Sequence, residues 1–430
     1  MINRRDFLNT AGVAAATSRS ILGANEQVNF AVIGIGGRGR GHVDGFAKLP
    51  NCKIAAVCDV NQAAQERAVA QVEKLQGHKP KVYADMRRLF DDKEIDAVST
   101  ATPNHWHALT TIWGCQAGKH VYVEKPACHN VFEGRKMIEA ARKYNRMVQV
   151  GSQGRSMPHI IEAVRLLREG AIRKVYMAKG LCYKRRKSIG RTPDEPVPAG
   201  VNWDLFLGPA QMKPYSKNKF AYNWHWFWDT GNGDIGNQGV HEMDMARWGL
   251  GKPGLPNWVF SSGGKFIYDD DQETPNTQLA TFGYGDSQLY FEVRGILTGE
   301  ECAVDRGGTN VVGDYFLGAD GYLSVAFGGC KVFKGEKNEL ASEHKPESGR
   351  ENRHFANFLQ AVRSGNYKDL NADVEVGVMS ACLCHLANIS YRLGRKLAFN
   401  PDTWTFVSDS EANRMLTREY RKPYVVPDRV

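Results

Sequence analysis

Short apolar runs alternate with longer stretches of helical periodicity along the first third of the chain. Buried strands are predicted at residues 28–33, 53–58, 96–101, 120–123 and 147–150. Helices are predicted between them at residues 62–75, 107–117 and 131–144. Strands separated by helices of about 10–15 residues indicate βαβ units. The pattern therefore predicts an α/β domain built on a parallel sheet.

The pattern changes near residue 152, where the alternation of strand and helix stops. Short runs with a period of two recur between residues 258 and 333 and indicate an antiparallel sheet. Residues 192–210 are rich in Pro and Gly and predict a loop. We predict one domain over residues 25–151, a second over 152–399, and a C-terminal tail over 400–430 that packs on a partner subunit.

The composition is that of a packed globular protein. Of the 430 residues, 42% are hydrophobic and 24% are charged, which excludes wholesale disorder. No apolar run reaches the length of about 18 residues that a membrane span needs, so we expect no stable membrane insertion. The net charge of +9 is scattered, and its densest cluster, residues 184–187, predicts a solvated loop. We therefore expect no nucleic-acid partner.

The nine cysteines give no sign of metal or disulfide chemistry. No CxxC motif pairs with a second one, so the sequence predicts no metal site. Their number is odd and their spacing irregular, which argues against an ordered disulfide framework. We expect most of them to be buried as small apolar side chains.

Residues 1–24 are typical of a targeting segment rather than of the fold. Arg4-Arg5 precedes a weakly apolar stretch at 11–16 and small residues at 23–24, an order that resembles a twin-arginine (Tat) export signal. The alternative is an ordinary basic N-terminus. A Tat-like signal predicts an exported protein of the periplasm or cell envelope. Because this route carries folded proteins, it also predicts that a cofactor is bound tightly before export.

A glycine-rich turn closes the first predicted strand and opens a helix. Its residues include Gly34, Gly36, Gly37, Arg38 and Gly39. Asp59 ends the second strand, 20 positions after Gly39. This is the arrangement of a dinucleotide site, in which the helix N-terminus faces the pyrophosphate and the acidic residue accepts from the adenosine ribose. Because Asp59 repels a 2′-phosphate, we predict NAD; NADP is less favoured, although Arg38 can attract that phosphate.

Four further motifs follow in order. They are Thr-Pro-Asn-His-Trp-His at 102–107, Glu-Lys-Pro at 124–126, Gly-Ser-Gln at 151–153, and a glycine-rich segment at 233–244. With the glycine turn, they resemble the glucose–fructose oxidoreductase and inositol dehydrogenase family (Gfo/Idh/MocA). The resemblance implies an N-terminal Rossmann domain and a C-terminal α/β domain with a large open, mostly antiparallel sheet. An exposed sheet face in turn suggests a homo-oligomer, a dimer or a tetramer.

The resemblance also implies roles for individual residues. Lys125 would lie beside the nicotinamide ribose and the reactive carbon, with a cis bond before Pro126. His241 would be its partner across the substrate. Besides the glycine turn and Asp59, the residues lining the cofactor would be Thr102, Pro103, Asn104, His107, Glu124, Lys125 and Gln153.

Alcohol oxidation gives an independent reason for this lysine and histidine. Hydride leaves carbon more readily as the hydroxyl approaches an alkoxide, so a base must lie within hydrogen-bond reach. A cationic nicotinamide and partial burial both depress the pKa of Lys125, and the pKa of a histidine such as His241 lies near neutral pH. The family usually has Asp where this chain has Asn237, and an amide cannot take the proton. Either Lys125 and His241 suffice as the acid/base pair, or a neighbour such as Asp234 substitutes.

The segment at residues 222–229 concentrates tryptophans and polar side chains. If it is extended, Trp224, Trp226 and Trp228 share one face, which can pack on sugar rings while amides and acids bind hydroxyls. Packing in the core or at a subunit interface is the alternative. We predict substrate contacts from Tyr183, Asn223, Trp226, Asn237 and His241.

Three functions are compatible with these features. The first is an NAD-dependent oxidoreductase that acts on a sugar, polyol or glycoside carbinol by hydride transfer. The second is an NAD-dependent glycoside hydrolase that transiently oxidises the sugar ring and eliminates the aglycone. Hydrolases of that type resemble this chain but carry valine where Lys125 stands, so the lysine favours the first. The third is a non-catalytic NAD-sensing binding protein, which the presence of both Lys125 and His241 disfavours.

Overall fold

The structure is a computed structural model that describes residues 26–296, 306–307, 310–347 and 350–430. The Tat-like segment predicted at residues 1–24 lies outside the described residues. Within the described ranges, the chain forms two β-sheets with helices packed against them.

The first domain contains strands β1 (Val28–Ile33), β2 (Cys52–Cys58), β3 (Lys81–Tyr83), β4 (Ala97–Thr100), β5 (His120–Val123) and β6 (Val148–Val150). Its helices are α1 (Arg38–Ala47), α2 (Gln62–Gln76), α3 (Met86–Asp91), α4 (His107–Gln116) and α5 (Val131–Lys143). The strands form a wholly parallel sheet in the order β3-β2-β1-β4-β5-β6. The predicted parallel α/β domain is confirmed. Its order reverses between β1 and β4, and open sheets of this kind bind ligands beside such a switch point.

The second domain begins with α6 (Pro158–Arg168), β7 (Val175–Tyr183), α7 (Trp203–Leu207), α8 (Gly233–Asn237) and α9 (Gly239–Gly249). Its next strands are β8 (Trp258–Gly264), β9 (Thr277–Gly283), β10 (Gln288–Arg294), β11 (Arg306–Gly307), β12 (Asn310–Gly318), β13 (Gly321–Ala326), β14 (Gly329–Lys334) and β15 (Glu339–His344). The chain ends with α10 (Arg350–Ser364), α11 (Val374–Leu393), β16 (Leu397–Asn400), β17 (Thr405–Phe406) and α12 (Ser410–Arg414).

These strands form the large sheet that the resemblance implies. Its order is β15-β14-β13-β12-β7-β10-β9-β8-β16-β17, with β11 paired to β12. The β7–β10 pair is parallel, and the other pairs are antiparallel. Helix α9 packs closely on one face of this sheet. A Cβ atom at Gly180 of β7 would lie only 3.1 Å from the Cβ of Glu242 on α9. The glycine therefore lets α9, which carries His241, approach the sheet.

The C-terminal helices return to the first domain. Phe355 and Phe358 of α10 pack in the same core as Phe30 and Phe46, and the rings of Phe46 and Phe355 are 4.4 Å apart. Helix α11 packs on α5 and β6. The apolar core of the first domain therefore also contains side chains from far beyond the boundary predicted at residue 151.

The tail packs at least in part on its own chain. The Leu416 carbonyl accepts from the N–H of Phe132 at 2.9 Å. The Tyr424 ring meets that of Trp106 edge-on at 5.4 Å. The predicted contact of residues 400–430 with a partner subunit stays a prediction.

One described helix, α11, is long and apolar enough to cross a membrane, but most of it is buried inside the fold as a core helix. The eight cysteines of the described ranges are all buried and free, as predicted. Among those residues, no group of three or more His, Cys, Asp or Glu side chains is placed to hold a metal ion.

Candidate active site

The glycine turn between β1 and α1 has the shape that a dinucleotide needs. Gly34 has a φ of +77°, and a Cβ atom there would lie 2.7 Å from the backbone N of Thr102. A Cβ atom at Gly39 would lie 2.0 Å from the Gly34 carbonyl oxygen, so this glycine permits α1 to pack on the turn. Beside Gly36 and Gly37 there is open space. No side chain caps the start of α1, so its free N–H groups can bind a pyrophosphate.

Asp59 lies at the end of β2, next to this turn. Its Oδ2 accepts from the N–H of Ile35 at 2.7 Å, and its Oδ1 accepts from the N–H of Asn61 at 2.9 Å. Burial raises the pKa of Asp59, while these N–H donors lower it. Each carboxylate oxygen keeps a second lone pair, so the residue fits the ribose-binding role.

Glu124 is buried at the end of β5 and organises the opposite side of the crevice. It accepts from Arg38 Nε at 2.8 Å and contacts His42 Nε2 at 2.9 Å. Burial alone would raise the pKa of Glu124, but Arg38 and His42 hold it well below its usual value. The oxygen of the Gln153 amide accepts from the same guanidinium at 2.7 Å. Arg38 is therefore directed toward Glu124 at the end of β5 and toward Gln153.

Lys125 connects the two domains. The bond between Lys125 and Pro126 is cis, as the resemblance implies. Its Nζ donates to the backbone oxygen of Asn237, at the end of α8, at 2.5 Å. Burial lowers the pKa of Lys125, and Arg38 lowers it further, against the opposing charge of Glu124. A lysine in this position can lose and regain a proton more readily than an exposed one.

The loop after β4 is braced from two sides. The ring nitrogens of His107 lie 2.7 Å from the Pro126 oxygen and 2.9 Å from the Thr102 oxygen. The Asn104 amide donates to Asn232 Oδ1 at 2.9 Å. Asn104 and His107 are both almost fully buried. Their side chains hold the cofactor loop, which also contains Pro103, against Lys125 and the second domain.

His241 lies on α9 and is half-buried. Its ring meets that of Phe327 edge-on at 6.0 Å. Burial lowers its pKa to about 3, and the charge of Lys125 contributes in the same direction. The imidazole is therefore neutral at physiological pH, with one nitrogen able to accept a hydrogen bond.

Asn237 belongs to a polar cluster at the mouth of the site. Its amide donates to the Tyr222 hydroxyl at 3.0 Å, and Arg186 donates to the same hydroxyl at 3.2 Å. Asp234, considered above as a substitute base, accepts two bonds from Arg186 at 2.7 and 3.0 Å. Because this carboxylate is buried and paired, it positions Arg186 instead of facing the substrate.

The aromatic segment is not extended, so the condition under which three tryptophans would share one face is not met. Asn223–Trp226 forms a 3-10 helix, and alternate residues of such a helix diverge because it has about three residues per turn. Trp226 is buried, and the guanidinium carbon of Arg186 lies over its indole, 5.4 Å from the ring centre. Trp224 instead stacks on His225 at 3.6 Å. Trp226 alone therefore meets the polar cluster.

Two predicted substrate residues are not brought to this cluster. The Asn223 amide donates to Asn218 at 3.2 Å. The Tyr183 hydroxyl donates to Glu292 at 2.7 Å. Because Gly180 faces α9, the alternation of β7 turns Tyr183 to the other face of the sheet.

Sequence reasoning missed Arg186, Tyr222 and the acidic pair of Glu242 and Asp314. Glu242 follows His241 and is fully buried. Its Oε1 accepts from the Gln238 amide at 3.1 Å, while its Oε2 and both Asp314 oxygens lack a hydrogen bond among the described residues. Burial raises the pKa of Glu242 to about 8 and that of Asp314 well above its usual value. Signals existed for Arg186, which closely follows a strand end, and for Tyr222, which begins the aromatic segment; the acidic pair is 72 positions apart in sequence (314 − 242).

Glu242→Gln is expected to gain stability relative to the unsubstituted protein as pH rises from 5 to 9. In the fold this carboxyl keeps its proton up to about pH 8, whereas an unfolded chain releases it near its ordinary pKa. Its contribution to the free energy of unfolding is therefore present at acid pH and lost as pH rises. Glutamine does not titrate, so the difference should move toward the variant by about 4 kcal/mol. Denaturant unfolding at several pH values measures it, and a constant difference would contradict a neutral Glu242.

Both domains match family models. Residues 28–152 match the model of the Gfo/Idh/MocA oxidoreductase family described as its NAD-binding Rossmann fold. Residues 173–274 and 296–426 match the model of the C-terminal alpha/beta domain. Together the two models cover most of the chain.

Curated relatives match a smaller part. The alpha-N-acetylgalactosaminidase of Shewanella oneidensis is 32% identical over 196 residues, which is 38% of this chain and 43% of the relative. A glycosyl hydrolase family 109 protein of Shewanella sp. (strain ANA-3) is 31% identical over the same length and shares. The chain therefore matches less than half the length of these relatives.

Solved structures share the whole architecture. Levoglucosan dehydrogenase, in complex with NADH and levoglucosan, has a TM-score of 0.67 at 17% identity and covers 87% of this chain and 99% of its own. The WlbA dehydrogenase from Bordetella pertussis, in complex with NADH and UDP-GlcNAcA, has a TM-score of 0.64 at the same identity and coverage. Likeness at this identity shows the fold. With both of its domains matched, the chain belongs to the NAD-binding Gfo/Idh/MocA oxidoreductase family.

Proposed function

We propose that this protein transfers hydride between NAD and a carbinol of a sugar, polyol or glycoside, with Lys125 as the base and His241 as the side chain that orients the hydroxyl. The observation that carries the proposal is the amine of Lys125, which donates to the Asn237 backbone oxygen of the second domain at 2.5 Å. Burial lowers its pKa, and the amine lies at the end of β5, beside the switch point where this fold binds its dinucleotide. A neutral His241 lies on α9 of the second domain, and the charge of Lys125 contributes to its lowered pKa.

The protein must handle the proton of the substrate hydroxyl. When bound, NAD accepts the hydride from the carbinol carbon. The neutral amine of Lys125 takes the hydroxyl proton, and the Asn237 backbone oxygen, 2.5 Å away, accepts a hydrogen bond from the resulting ammonium. The neutral ring of His241 holds the hydroxyl from the other side and orients it. Asn237 thus contributes through its backbone oxygen, and this hydrogen bond does not depend on which side chain the residue carries.

The polar cluster at the mouth suits a carbohydrate. Tyr222 is 51% exposed, so its ring borders the opening while its hydroxyl stays fixed by Asn237 and Arg186. Arg186 is held over Trp226 by its bond to Asp234. Fixed amide, hydroxyl and guanidinium groups beside aromatic rings can bind sugar hydroxyls and pack on C–H faces.

A glycoside hydrolase that oxidises its substrate transiently is the second candidate. The names of the curated relatives, an alpha-N-acetylgalactosaminidase and a glycosyl hydrolase family 109 protein, favour it. The same residues would serve, because oxidation of a ring carbon acidifies the adjacent C–H bond. A base then removes that proton as the aglycone leaves. The lysine at position 125 favours net oxidation over this route.

One assay separates these functions. Purified protein is incubated with a panel of free sugars and nitrophenyl glycosides, and the absorbances of reduced cofactor and of released nitrophenol are followed separately. Accumulation of reduced cofactor supports the oxidoreductase, and nitrophenol without net reduced cofactor supports the hydrolase. If neither forms while sugars change the affinity for NAD, the protein is a sensor and the proposal fails.

We also propose that the cofactor is bound tightly, because the second domain crosses the adenosine end of the crevice. Residues 188–202, which we call the strap, run from β7 to α7. The Asn202 N–H donates to the Val60 oxygen at 2.9 Å, and the Gln62 N–H donates to the Gly200 oxygen at 2.9 Å. Residues 60–62 directly follow Asp59, so the strap borders the position of the adenosine ribose. NAD can enter or leave on that side only when these bonds open.

A disulfide across the strap is expected to slow NAD release. A Cβ atom at Gly200 would lie 3.2 Å from the Cβ of Gln62, slightly less than the separation of about 3.5–4.5 Å in disulfides. Gly200 has a φ of +78°, so a cysteine there is strained and the backbone must shift slightly for the bridge to form. In the double variant Gln62→Cys/Gly200→Cys, we expect oxidation to slow NAD dissociation at least about tenfold and reductant to restore it. Stopped-flow displacement of NAD measures the rate, with Gln62→Cys alone as the matched control. Equal rates before and after oxidation would show that NAD leaves elsewhere.

We propose that the protein is a dimer or tetramer formed through the open face of the large sheet. Phe260 of β8 and Leu279 of β9 lie on that face, and each is 41% exposed. Apolar surface of this kind marks association sites, and a second copy presents the same patch to it. Light scattering after size exclusion measures the mass, and a monomer at micromolar concentration would contradict the proposal.

Export remains a proposal that rests on the twin arginine and on a cofactor retained during transport. We propose that the protein reaches the periplasm or cell envelope folded around NAD. Fractionation of a Tat-competent bacterial host should find it outside the cytoplasm, and Arg4→Lys/Arg5→Lys should retain it inside. Equal fractionation of both forms would contradict the proposal.

A further inference from the structure

A second cavity lies away from the residues that the proposed function uses. It has a volume of about 280 Å³ and lies between the C-terminal end of α11, the segment that precedes α8, and the end of α12. Guanidinium groups from Arg392, Arg414 and Arg418 line it, and we call it the arginine cleft. None of the residues predicted to bind cofactor or substrate lines this cleft.

Its charges do not balance. Asp229 is the one carboxylate among the residues that line the cleft. That carboxylate pairs with Lys213, which is not among them, at 2.6 Å and with Arg418 at 3.7 Å. Burial lowers the pKa of His385 to about 4 and that of His129 well below its usual value, so both rings are neutral. The three arginines therefore leave the cleft with an excess of positive charge.

Two of the arginines are held in place. Arg418 donates from one terminal nitrogen to the Asp229 carbonyl oxygen at 2.7 Å. Arg392 lies over the Trp228 ring, with its guanidinium carbon 5.1 Å from the ring centre, which limits the orientation of its guanidinium plane. The side chains of Arg392 and Arg414 are exposed, so a ligand in the cleft can reach their N–H donors.

We propose that the arginine cleft binds a small anion that carries a phosphate, sulfate or carboxylate group. Guanidinium forks bind such oxyanions through paired N–H donors. The cavity lies just below the usual range of about 300–1,000 Å³ for small-molecule pockets. It therefore has room for an oxyanion attached to a small ring and not for a dinucleotide.

Calorimetric titration of the NAD-loaded protein tests this proposal. The anions are inorganic phosphate, sulfate, benzoate and phenyl phosphate, each added at low chloride concentration, and none of them has a carbinol to oxidise. Because bound NAD occupies the pyrophosphate position at the glycine turn, the titration does not measure anion binding at that position. We expect saturable binding of at least one of the four anions, weakened by added salt. The anion that binds identifies the group that the cleft prefers.

Two variants locate the binding. Arg392→Gln and Arg414→Gln, both at exposed side chains, are each expected to weaken it at least about fivefold. Arg168→Gln, on an exposed position of α6, is the matched control and should leave it unchanged. The proposal is overturned if no anion binds saturably, or if the control loses as much affinity as the two variants. Binding is measured without turnover, so a failure of the proposed oxidoreductase function would not alter this result.

Discussion

Lys125→Met is expected to slow hydride transfer about 10³-fold while NAD remains bound. Methionine keeps the length of the side chain but has no proton acceptor. The contact with the Asn237 oxygen, 2.5 Å in the unsubstituted protein, is lost with it, so no group of Lys125 is left to take the hydroxyl proton. Single-turnover formation of reduced cofactor on the best substrate of the sugar panel measures the rate. Equilibrium dialysis of NAD shows separately that the cofactor site is intact.

The pH dependence sharpens this test. The amine accepts a proton only when it is neutral, so the rate should rise with pH and level off below the ordinary pKa of lysine, because burial lowers the pKa of Lys125. In Lys125→Met this rise should disappear. Lys48→Met, at the exposed lysine that directly follows α1 and pairs with Asp44, is the matched control and should keep both rate and profile. A rate within tenfold of normal in Lys125→Met would refute its role as the base.

Asp244→Ala is expected to lower the free energy of unfolding by about 3–5 kcal/mol. Asp244 lies one turn after His241 on α9 and is buried. It binds the buried Arg155 through two bonds, at 2.8 and 2.9 Å, and accepts from the Ser380 hydroxyl at 2.6 Å. Alanine leaves the guanidinium of Arg155 buried without its anion. Denaturant unfolding measures the loss.

The effect of pH and an exposed control separate this ion pair from a general loss of packing. Burial would raise the pKa of Asp244, but Arg155 holds it below its usual value. Its contribution is therefore present above the ordinary pKa of aspartate and is lost as pH falls through the lowered one. The deficit of Asp244→Ala should shrink in strong acid. Glu162→Ala, which breaks an exposed pair with Arg165, should leave the midpoint nearly unchanged; a similar loss there would contradict the account.

The first domain could be predicted from the sequence because its signals are local. A buried strand, a glycine turn and a helix follow one another within a few residues, and each has its own pattern. Strand β3 gave no such signal, because it has three residues and two of them are exposed. The packing of α10 on α1 was also out of reach, since it joins residues such as Phe46 and Phe355 that are 309 positions apart (355 − 46).

The site could be predicted only as far as motifs mark it. The glycine turn, Glu124 and Lys125 lie together as the motifs imply. The side to which Tyr183 points could not be deduced, because β7 ends in a fully buried run, Gly180–Tyr183, that shows no alternation of polar and apolar residues. The pairing of Arg186 with Asp234 depends on how two distant segments meet. The basic cluster therefore looked like a solvated loop, although its third residue is part of the site.

The most direct test of the central claim is a crystal structure of the protein with NAD and the best-bound sugar of the panel. The account predicts that Lys125 Nζ lies within about 3.2 Å of a carbinol oxygen. The attached carbon should face the reactive nicotinamide carbon, with His241 on the far side of the hydroxyl. A sugar bound with its hydroxyls beyond hydrogen-bond reach of both Lys125 and His241 would contradict it.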